Sequence, residues 1–194
     1  MPSAMPHLML ARRCDSVADA LFFVGNLAPD SIADWGRKET LHLRNADDRA
    51  HALGQLASRT NPSKPFEEGI LLHLFFDWKW DTGPLADYKN HYGDDWFRTY
   101  RAEIGALSAY LFHHCAWSNL IWDTMLAVRG SEYPERSDYL FTEVYDMIDR
   151  NRTWHRENAD ISPAFYSPDD ILLLIGRVKN EYDIWRKTNG YVEH

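Results

Sequence analysis

The chain has 194 residues, of which 45% are apolar, 26% charged and 14% aromatic, and its formal net charge is −8. This length and composition are typical of one globular domain, residues 1–194, that buries a sizeable core. The acidic balance argues against duplex nucleic acid as a partner, because duplex binders carry a basic surface, but it allows a small phosphorylated substrate held through a metal ion.

The first thirty residues predict two helices. Residues 5–10 form a first helical segment. A second helix is expected to begin at a cap provided by Asp15 or Ser16. Gly25-Asn26 and the following Pro29 are expected to end it, because these residue types terminate helices.

Two further helices are predicted before residue 81. Asp47-Asp48 opens one of them, which places Leu53 and Leu56 on a single apolar face. The other runs from Pro65 to about Trp80, and acidic residues in its first turn favour that start because they complement the helix dipole.

The second half of the chain is also helical in pattern. Gly83-Pro84 is expected to break the chain, and a long helical stretch follows over roughly residues 96–128, with Gly130 as a plausible end. Helices over residues 135–150 and 168–187 complete the set. The last begins with proline at its first helical position, which is a strong start signal.

The predicted fold class is all-α, a multi-helix bundle. The short segment Thr40–Arg44 alternates in polarity, but it is isolated and does not predict a sheet.

Cys14 and Cys115 lack a C-x-x-C spacing, which indicates a reducing, cytoplasmic setting. No segment approaches the roughly 18 to 20 apolar residues of a membrane span, so stable membrane insertion is not expected. The pattern leaves the oligomeric state open.

The segment from Gly69 to Trp80 contains the most informative candidate functional residues. It is an apolar run that contains His73 and Asp77. These two residues are four positions apart, so on a helix their side chains share one face about one turn apart. A carboxylate buried in such a run costs several kcal/mol unless it is paired or bound to metal. The pair therefore predicts either a divalent metal site or a histidine–aspartate hydrogen bond inside the core.

Three other side chains are candidate ligands, and each also has a structural interpretation. His7 lies near the amino terminus, where a histidine often has no role in binding a metal. Asp30 follows a predicted helix end and can cap the next turn. His42 can be a surface histidine. Spacing alone does not separate these alternatives.

The ordered pieces resemble a known superfamily. They are Pro6-His7-Leu8, Gly25–Asp30, His42–Arg44 and Gly69–Asp77. Their order resembles the metal-binding order of the zinc-dependent phospholipase C and single-strand nuclease superfamily, in particular its small cytosolic bacterial relatives, the zinc-dependent phospholipase C-like hydrolases. The resemblance covers roughly the first 80 residues and implies a helical fold of that type.

The resemblance also implies a ligand set. Asp30, His42, His73 and Asp77 would hold the principal metal, and Asp77 would bridge to a second ion ligated by His7. One or two divalent ions are therefore expected. Zinc is the expected metal, although imidazole and carboxylate ligands without thiolate also suit Mn²⁺, Fe²⁺ or Ni²⁺.

The chain departs from the superfamily after the His73 helix. Members of the superfamily have a second helical pair there, a histidine and a carboxylate four residues apart. This chain has Trp117 and Ser118 at the matching distance from its adjacent histidines at 113 and 114. His91, His114 and Glu103 are the candidates for additional ligands.

The predicted function is a metal-dependent hydrolase, a phosphoesterase that uses a metal-activated water on a small phosphate mono- or diester. Asp30 and Asp77 are the candidate catalytic proton acceptors, and Arg44 and Lys79 are the candidate phosphate-binding groups. The rings of four aromatic residues are candidate walls of the substrate pocket: Trp35, Trp78, Trp80 and Tyr88.

Two alternatives stand beside this hydrolase. A helical His-Asp phosphohydrolase would show an adjacent His-Asp pair, and the sequence has none. A non-enzymatic helical interaction module would carry the same histidines as packing residues, or as a structural or vestigial metal site. It would keep its fold and partner binding after treatment with chelator.

Overall fold

A computed structural model describes residues 2–14, 19–134 and 138–190. Throughout these ranges the regular structure is helical, which confirms the all-α prediction. None of the described helices is both long enough and apolar enough to cross a bilayer. The α-helices are α1 (Ala4–Cys14), α2 (Ala20–Leu27), α3 (Trp35–Leu41), α4 (Arg49–Arg59), α5 (Pro65–Thr82), α6 (Pro84–Tyr92), α7 (Trp96–His114), α8 (Ser118–Leu126), α9 (Phe141–Glu157) and α10 (Pro168–Thr188). Short 3-10 helices span Ala28–Ser31 and Gly93–Asp95.

Helix α5 lies at the centre of the molecule. It begins with proline at its first position and two glutamates in its first turn, as the sequence predicts. Its residues from Gly69 to Asp77 are all buried, and a helix that is apolar on all sides must lie inside the protein. The hydrophobic core around it extends from Ala4 in α1 to Tyr182 in α10.

Helices α2 and α5 approach each other unusually closely. A methyl group at Gly25 would lie 2.1 Å from the Phe66 carbonyl oxygen, and one at Gly69 would lie 2.2 Å from the Phe22 carbonyl oxygen. Neither position has room for a side chain. The two glycines therefore set the distance between the helices, and this contact brings the end of α2 onto the face of α5 that carries His73.

Helix α3 is absent from the sequence-based predictions. Its cap, Asp34, accepts a hydrogen bond from the backbone N–H of Arg37 at 2.7 Å. The alternating segment Thr40–Arg44 is the end of this helix and the turn after it. Leu43 in that turn adopts a positive φ of 56°. The turn directs His42 inward and Arg44 towards α5.

Several predicted boundaries differ from the observed ones. The stretch 96–128 is two helices, because the chain turns at residues 115–117 between α7 and α8. Gly83-Pro84 changes the direction of the chain without ending its helicity, since proline fits the first position of α6. Helix α9 begins at Phe141, later than the predicted residue 135.

The other predicted starts are close to the observed ones. Asp48 caps α4, and Pro168 opens α10 with Ser167 as its cap. Helix α2 is capped by Asp19, whose side chain accepts a hydrogen bond from the backbone N–H of Leu21. The predicted caps at positions 15 and 16 lie outside the described residues.

Candidate metal centre

The five candidate ligands of the sequence analysis converge on one point in the core. They come from four elements, since His7 lies on α1, Asp30 in the first 3-10 helix, and His42 just after α3, while α5 supplies both His73 and Asp77. The three histidines and Asp77 have no exposed surface. A polar cluster of this size needs internal compensation, because burial removes the water that would otherwise solvate it.

Three ligand atoms form a compact triangle. His42 Nε2 lies 3.3 Å from His73 Nε2, and Asp77 Oδ2 lies 3.5 Å from the first nitrogen and 3.6 Å from the second. Metal–ligand bonds of about 2.0–2.1 Å at tetrahedral angles would separate two ligand nitrogens by about 3.3–3.4 Å. The triangle therefore has the dimensions of one face of a tetrahedral site.

Backbone carbonyls orient the two rings of this triangle. His73 Nδ1 donates to the carbonyl oxygen of Asn26 at 2.7 Å, and His42 Nδ1 donates to that of Lys38 at 2.8 Å. In a neutral ring with this hydrogen bond the lone pair is on Nε2, and the two Nε2 atoms face each other. Two acceptors cannot form a hydrogen bond with each other, and a cation between them removes the repulsion. Metal-ligating histidines usually donate a hydrogen bond from their other ring nitrogen to a carbonyl or carboxylate, as both rings do here.

His7 and Asp30 flank the triangle. The His7 ring stacks on His73 with centroids 3.9 Å apart and planes inclined by 5°. Its Nε2 lies 3.4 Å from Asp77 Oδ1, and neither of its nitrogens makes a hydrogen bond with the described residues. Asp30 Oδ1 lies 3.8 Å from His42 Nε2 and forms an ion pair with Lys38 Nζ at 2.9 Å.

The cluster favours the protonation states that bind metal. Burial, together with the neighbouring His73, lowers the pKa of both His7 and His42 to about 4. Burial by itself would raise the pKa of Asp30, but Lys38 outweighs it and holds that pKa below its usual value. Burial opposes ionisation of Asp77 in the same way, and the adjacent histidines hold the pKa of Asp77 well below its usual value. At neutral pH, His7 and His42 are neutral and both carboxyls are ionised.

A cavity of about 430 Å³ opens beside the cluster. Asp30 and Arg44 connect it to the cluster, the acidic Glu39 and Asp81 also line it, and most of the other lining residues are aromatic or basic. Those are Trp35, Trp96, Phe97, Tyr100, Lys89 and Arg101. Trp35 and Phe97 are 65% and 64% exposed, so flat apolar rings stand at the entrance. The cavity thus combines three basic and three acidic side chains with ring surfaces next to the candidate metal centre.

Arg44 is held rigidly at the boundary between the cluster and the cavity. Its Nη2 lies 3.5 Å from Asp77 Oδ2, and its Nε and Nη2 donate to Asp81 at 3.2 and 3.1 Å. Its Nη1 donates to Glu39 at 3.1 Å. Arg49 donates to the same Asp81 oxygen at 2.9 Å. These contacts fix the guanidinium in position, and they already engage its Nε, Nη1 and Nη2 atoms with carboxylates.

The structure corrects the expectation for Lys79. Its ammonium forms an ion pair with Glu181 of α10 at 2.9 Å and lies over the ring of Trp78, 4.3 Å from the centroid. Residues two apart on a helix face different directions, so Lys79 cannot point to the side that Asp77 faces. It does not line the cavity.

The additional ligand candidates also lie elsewhere. His91 is exposed and rests against neighbouring aromatic rings. His114 is exposed, donates to the carbonyl oxygen four residues earlier and stacks on a tyrosine. Glu103 is buried, but its carboxylate accepts three hydrogen bonds from the backbone N–H groups of residues 164–166. Glu103 therefore anchors a loop and lies outside the candidate metal centre.

Of the four aromatic candidates, Trp35 alone lines the cavity, whereas Trp80 and Tyr88 are core residues. Two further residues of the site, Lys38 and Asn26, were not among the predicted ones. Lys38 lies four residues before His42, a spacing that would have placed both on one face if helix α3 had been predicted. Asn26 orients His73 through its backbone carbonyl oxygen. Every residue has such a group, so the pattern of side chains cannot predict this contact.

Comparison of the chain with models of protein families, with curated proteins and with solved structures found no match. The resemblance to the phospholipase C and nuclease superfamily therefore stays a prediction. The cluster itself is independent of it, because buried His and Asp side chains have the donors that a metal ion requires.

Proposed function

We propose that this protein is a metal-dependent phosphoesterase that hydrolyses a small phosphate mono- or diester. The observation that carries the proposal is the pair of His42 and His73 Nε2 atoms, which face each other at 3.3 Å beside an ionised, buried Asp77. Such a group is costly to bury unless a cation is shared among its members. The donor set fits zinc, and Mn²⁺, Fe²⁺ or Ni²⁺ would also suit it.

A divalent ion held here would activate water at neutral pH and stabilise the negative charge of a phosphoryl group. The chain's own residues have separate tasks. Arg44 lines the cavity and would bind phosphoryl oxygens through the N–H groups that Asp81 and Glu39 leave over. Asp30 lines that cavity and is 18% exposed, whereas Asp77 has no exposed surface, so Asp30 is the better placed of the two to orient the attacking water.

The cavity supports a small substrate. Its volume of about 430 Å³ accommodates a molecule of modest size, and its lining offers three basic side chains, Arg44, Lys89 and Arg101, beside three carboxylates. Ring surfaces at the entrance favour a substrate with an apolar or planar group attached to the phosphate.

The first test is metal-dependent activity. Protein purified without chelator should contain a divalent metal by elemental analysis and should hydrolyse members of a panel of generic phosphate mono- and diesters. Dialysis against chelator should abolish hydrolysis, and the metal should restore it. Arg44→Met should lower kcat/KM roughly ten- to a hundredfold, because it removes charge-assisted hydrogen bonds worth about 1.5–3 kcal/mol.

Lys79→Met is the matched control, since it removes a basic side chain that the structure places outside the cavity. It should leave kcat/KM within about twofold of the wild-type value. Metal-free protein that retained full activity would refute the proposal. So would an Asp77→Asn variant with wild-type metal content and rate.

A further inference from the structure

Lys38 occupies a position that is unexpected in a metal centre. Its ammonium lies 2.9 Å from Asp30 Oδ1 and 3.4 Å from the Asp30 carbonyl oxygen, and its side chain is only 15% exposed. The carbonyl oxygen of the same residue accepts the hydrogen bond from His42 Nδ1. Lys38 thus orients one candidate ligand through its backbone and neutralises another through its side chain.

The described residues offer two overlapping sets of three donors. One is His42, His73 and Asp77, and the other is His7, Asp30 and His73. Both sets need the Nε2 atom of His73, because its Nδ1 donates to a backbone carbonyl. One lone pair binds one ion, so the two sets cannot be filled together.

A second ion would have to use what the first leaves over. The remaining donors are His7 Nε2, Asp77 Oδ1 and the carboxylate of Asp30, and Lys38 already pairs with Asp30. An incoming dication would have to displace this ammonium or lie directly beside it. Either arrangement places like charges together where little water can screen them.

The charge balance of the surroundings leads to the same conclusion. Four carboxylates and three basic side chains are in contact here, and they leave one net negative charge. The carboxylates are Asp30, Asp77, Asp81 and Glu39, and the basic side chains are Lys38, Arg44 and Arg49. One divalent ion would bring the group to a net charge of +1, whereas two would bring it to +3.

We propose that the centre binds a single divalent ion on His42, His73 and Asp77, and that Lys38 stands in place of a second cation by holding Asp30 as its counterion. This inference rests on the metal centre of the proposed function, and it differs from the bridged pair of ions that the sequence resemblance implies. Lys38 is a positioning residue, since it acts on the centre through Asp30 and His42.

The test is metal stoichiometry. Full-length protein, freed of metal with chelator, is titrated with Co²⁺ while its visible absorption is followed, and Zn²⁺ bound at equilibrium is counted by elemental analysis. Wild-type protein should saturate at one ion per chain. Lys38→Met should bind more than one, approaching two, because Asp30 becomes available beside His7. Lys38→Arg should stay at one.

Lys79→Met serves as the control, since it removes a paired lysine outside the centre. It should also stay at one. Asp30→Asn should keep the single ion, and this variant tests the same assignment if Lys38→Met does not fold.

The possible outcomes are distinguishable. Two ions in the wild-type protein would overturn the inference and leave the proposed function standing. One ion in a folded Lys38→Met variant, or loss of the ion in a folded Asp30→Asn variant, would overturn the role given to Lys38. No ion in the wild-type protein would refute the metal centre itself, and with it the proposed function.

Discussion

Buried histidines have two different environments in this protein. His155 in α9 has both ring nitrogens satisfied, since Nδ1 donates to the carbonyl oxygen of Asn151 at 2.5 Å and Nε2 accepts from Ser108 Oγ at 2.7 Å. His7 has neither nitrogen satisfied by a described residue. Because a buried polar atom without a partner is costly, this difference separates a packing histidine from a candidate ligand.

The burial of His155 predicts that the free energy of unfolding depends on pH. Burial lowers the pKa of His155 to about 4, so the unfolded chain binds a proton more readily than the folded protein between pH 6.5 and 4. The stability that its neutral ring contributes is present above pH 6.5 and is lost as the pH falls towards 4. The loss between pH 7 and 5 should be about 2 kcal/mol.

This pH dependence is measured by urea unfolding of metal-free protein, and the pKa of His155 by the chemical shifts of its ring protons. His155→Gln should lack this share of the dependence, whereas His51→Gln, which changes an exposed ring, should retain it. Titration of the His155 ring near pH 6.5 in the folded protein would contradict the prediction.

At the scale of elements, the contact between α2 and α5 positions the candidate metal centre. The close approach at Gly25 and Gly69 brings the carbonyl oxygen of Asn26 to His73 Nδ1. The Asn26 side chain strengthens the same contact by donating to the Gly69 carbonyl oxygen at 3.3 Å. Helix packing and ligand orientation therefore depend on the same two glycines.

Gly69→Ala should lower the free energy of unfolding by about 3 kcal/mol or more, because the added methyl group meets backbone atoms that cannot move independently. It should also weaken metal binding about ten- to a hundredfold by displacing the group that orients His73. Urea unfolding and Co²⁺ titration measure the two effects.

Gly105→Ala in the interior of α7 is the matched control. An added methyl group there meets only the Trp154 ring, at 3.4 Å, and alanine favours a helix by about 1 kcal/mol over glycine. Its stability should equal or slightly exceed that of the wild-type protein. If both variants behaved alike, the close packing of α2 on α5 would not explain the glycine at position 69.

At the scale of the whole molecule, the cluster connects four separate elements. It joins α1, the first 3-10 helix, the turn after α3, and α5, which are distant along the chain but share the core. A metal ion that binds only when these elements are assembled stabilises the folded state.

Adding the metal at about a hundred times its dissociation constant should raise the free energy of unfolding by about 2.7 kcal/mol and the melting temperature by roughly 5–10 °C. Differential scanning calorimetry of metal-free and metal-loaded protein measures the shift. Asp77→Asn should reduce it sharply, whereas Asp183→Asn, which changes an exposed carboxylate on α10, should leave it unchanged. A shift of equal size in both variants would place the metal elsewhere.

Features that depend on neighbours along the chain could be predicted from the amino-acid sequence alone. The sequence predicted the all-α class, the starts of α4, α5 and α10, and the placement of His73 and Asp77 on one face of a helix. These follow from caps, proline positions and the four-residue spacing, which are local properties. The remaining candidate ligands came from the resemblance, because their spacing along the chain carries no geometric information.

Which of the candidate residues lie together depends on the packing of the whole chain. This packing brought His7, Asp30 and His42 to the α5 pair, removed Lys79, His91, His114 and Glu103 from the site, and placed Lys38 inside it. Contacts between distant segments arise from many small burial and packing terms summed over the whole core, so no short pattern encodes them. A helix shows which residues share its face, and the packing of the other helices shows what that face meets.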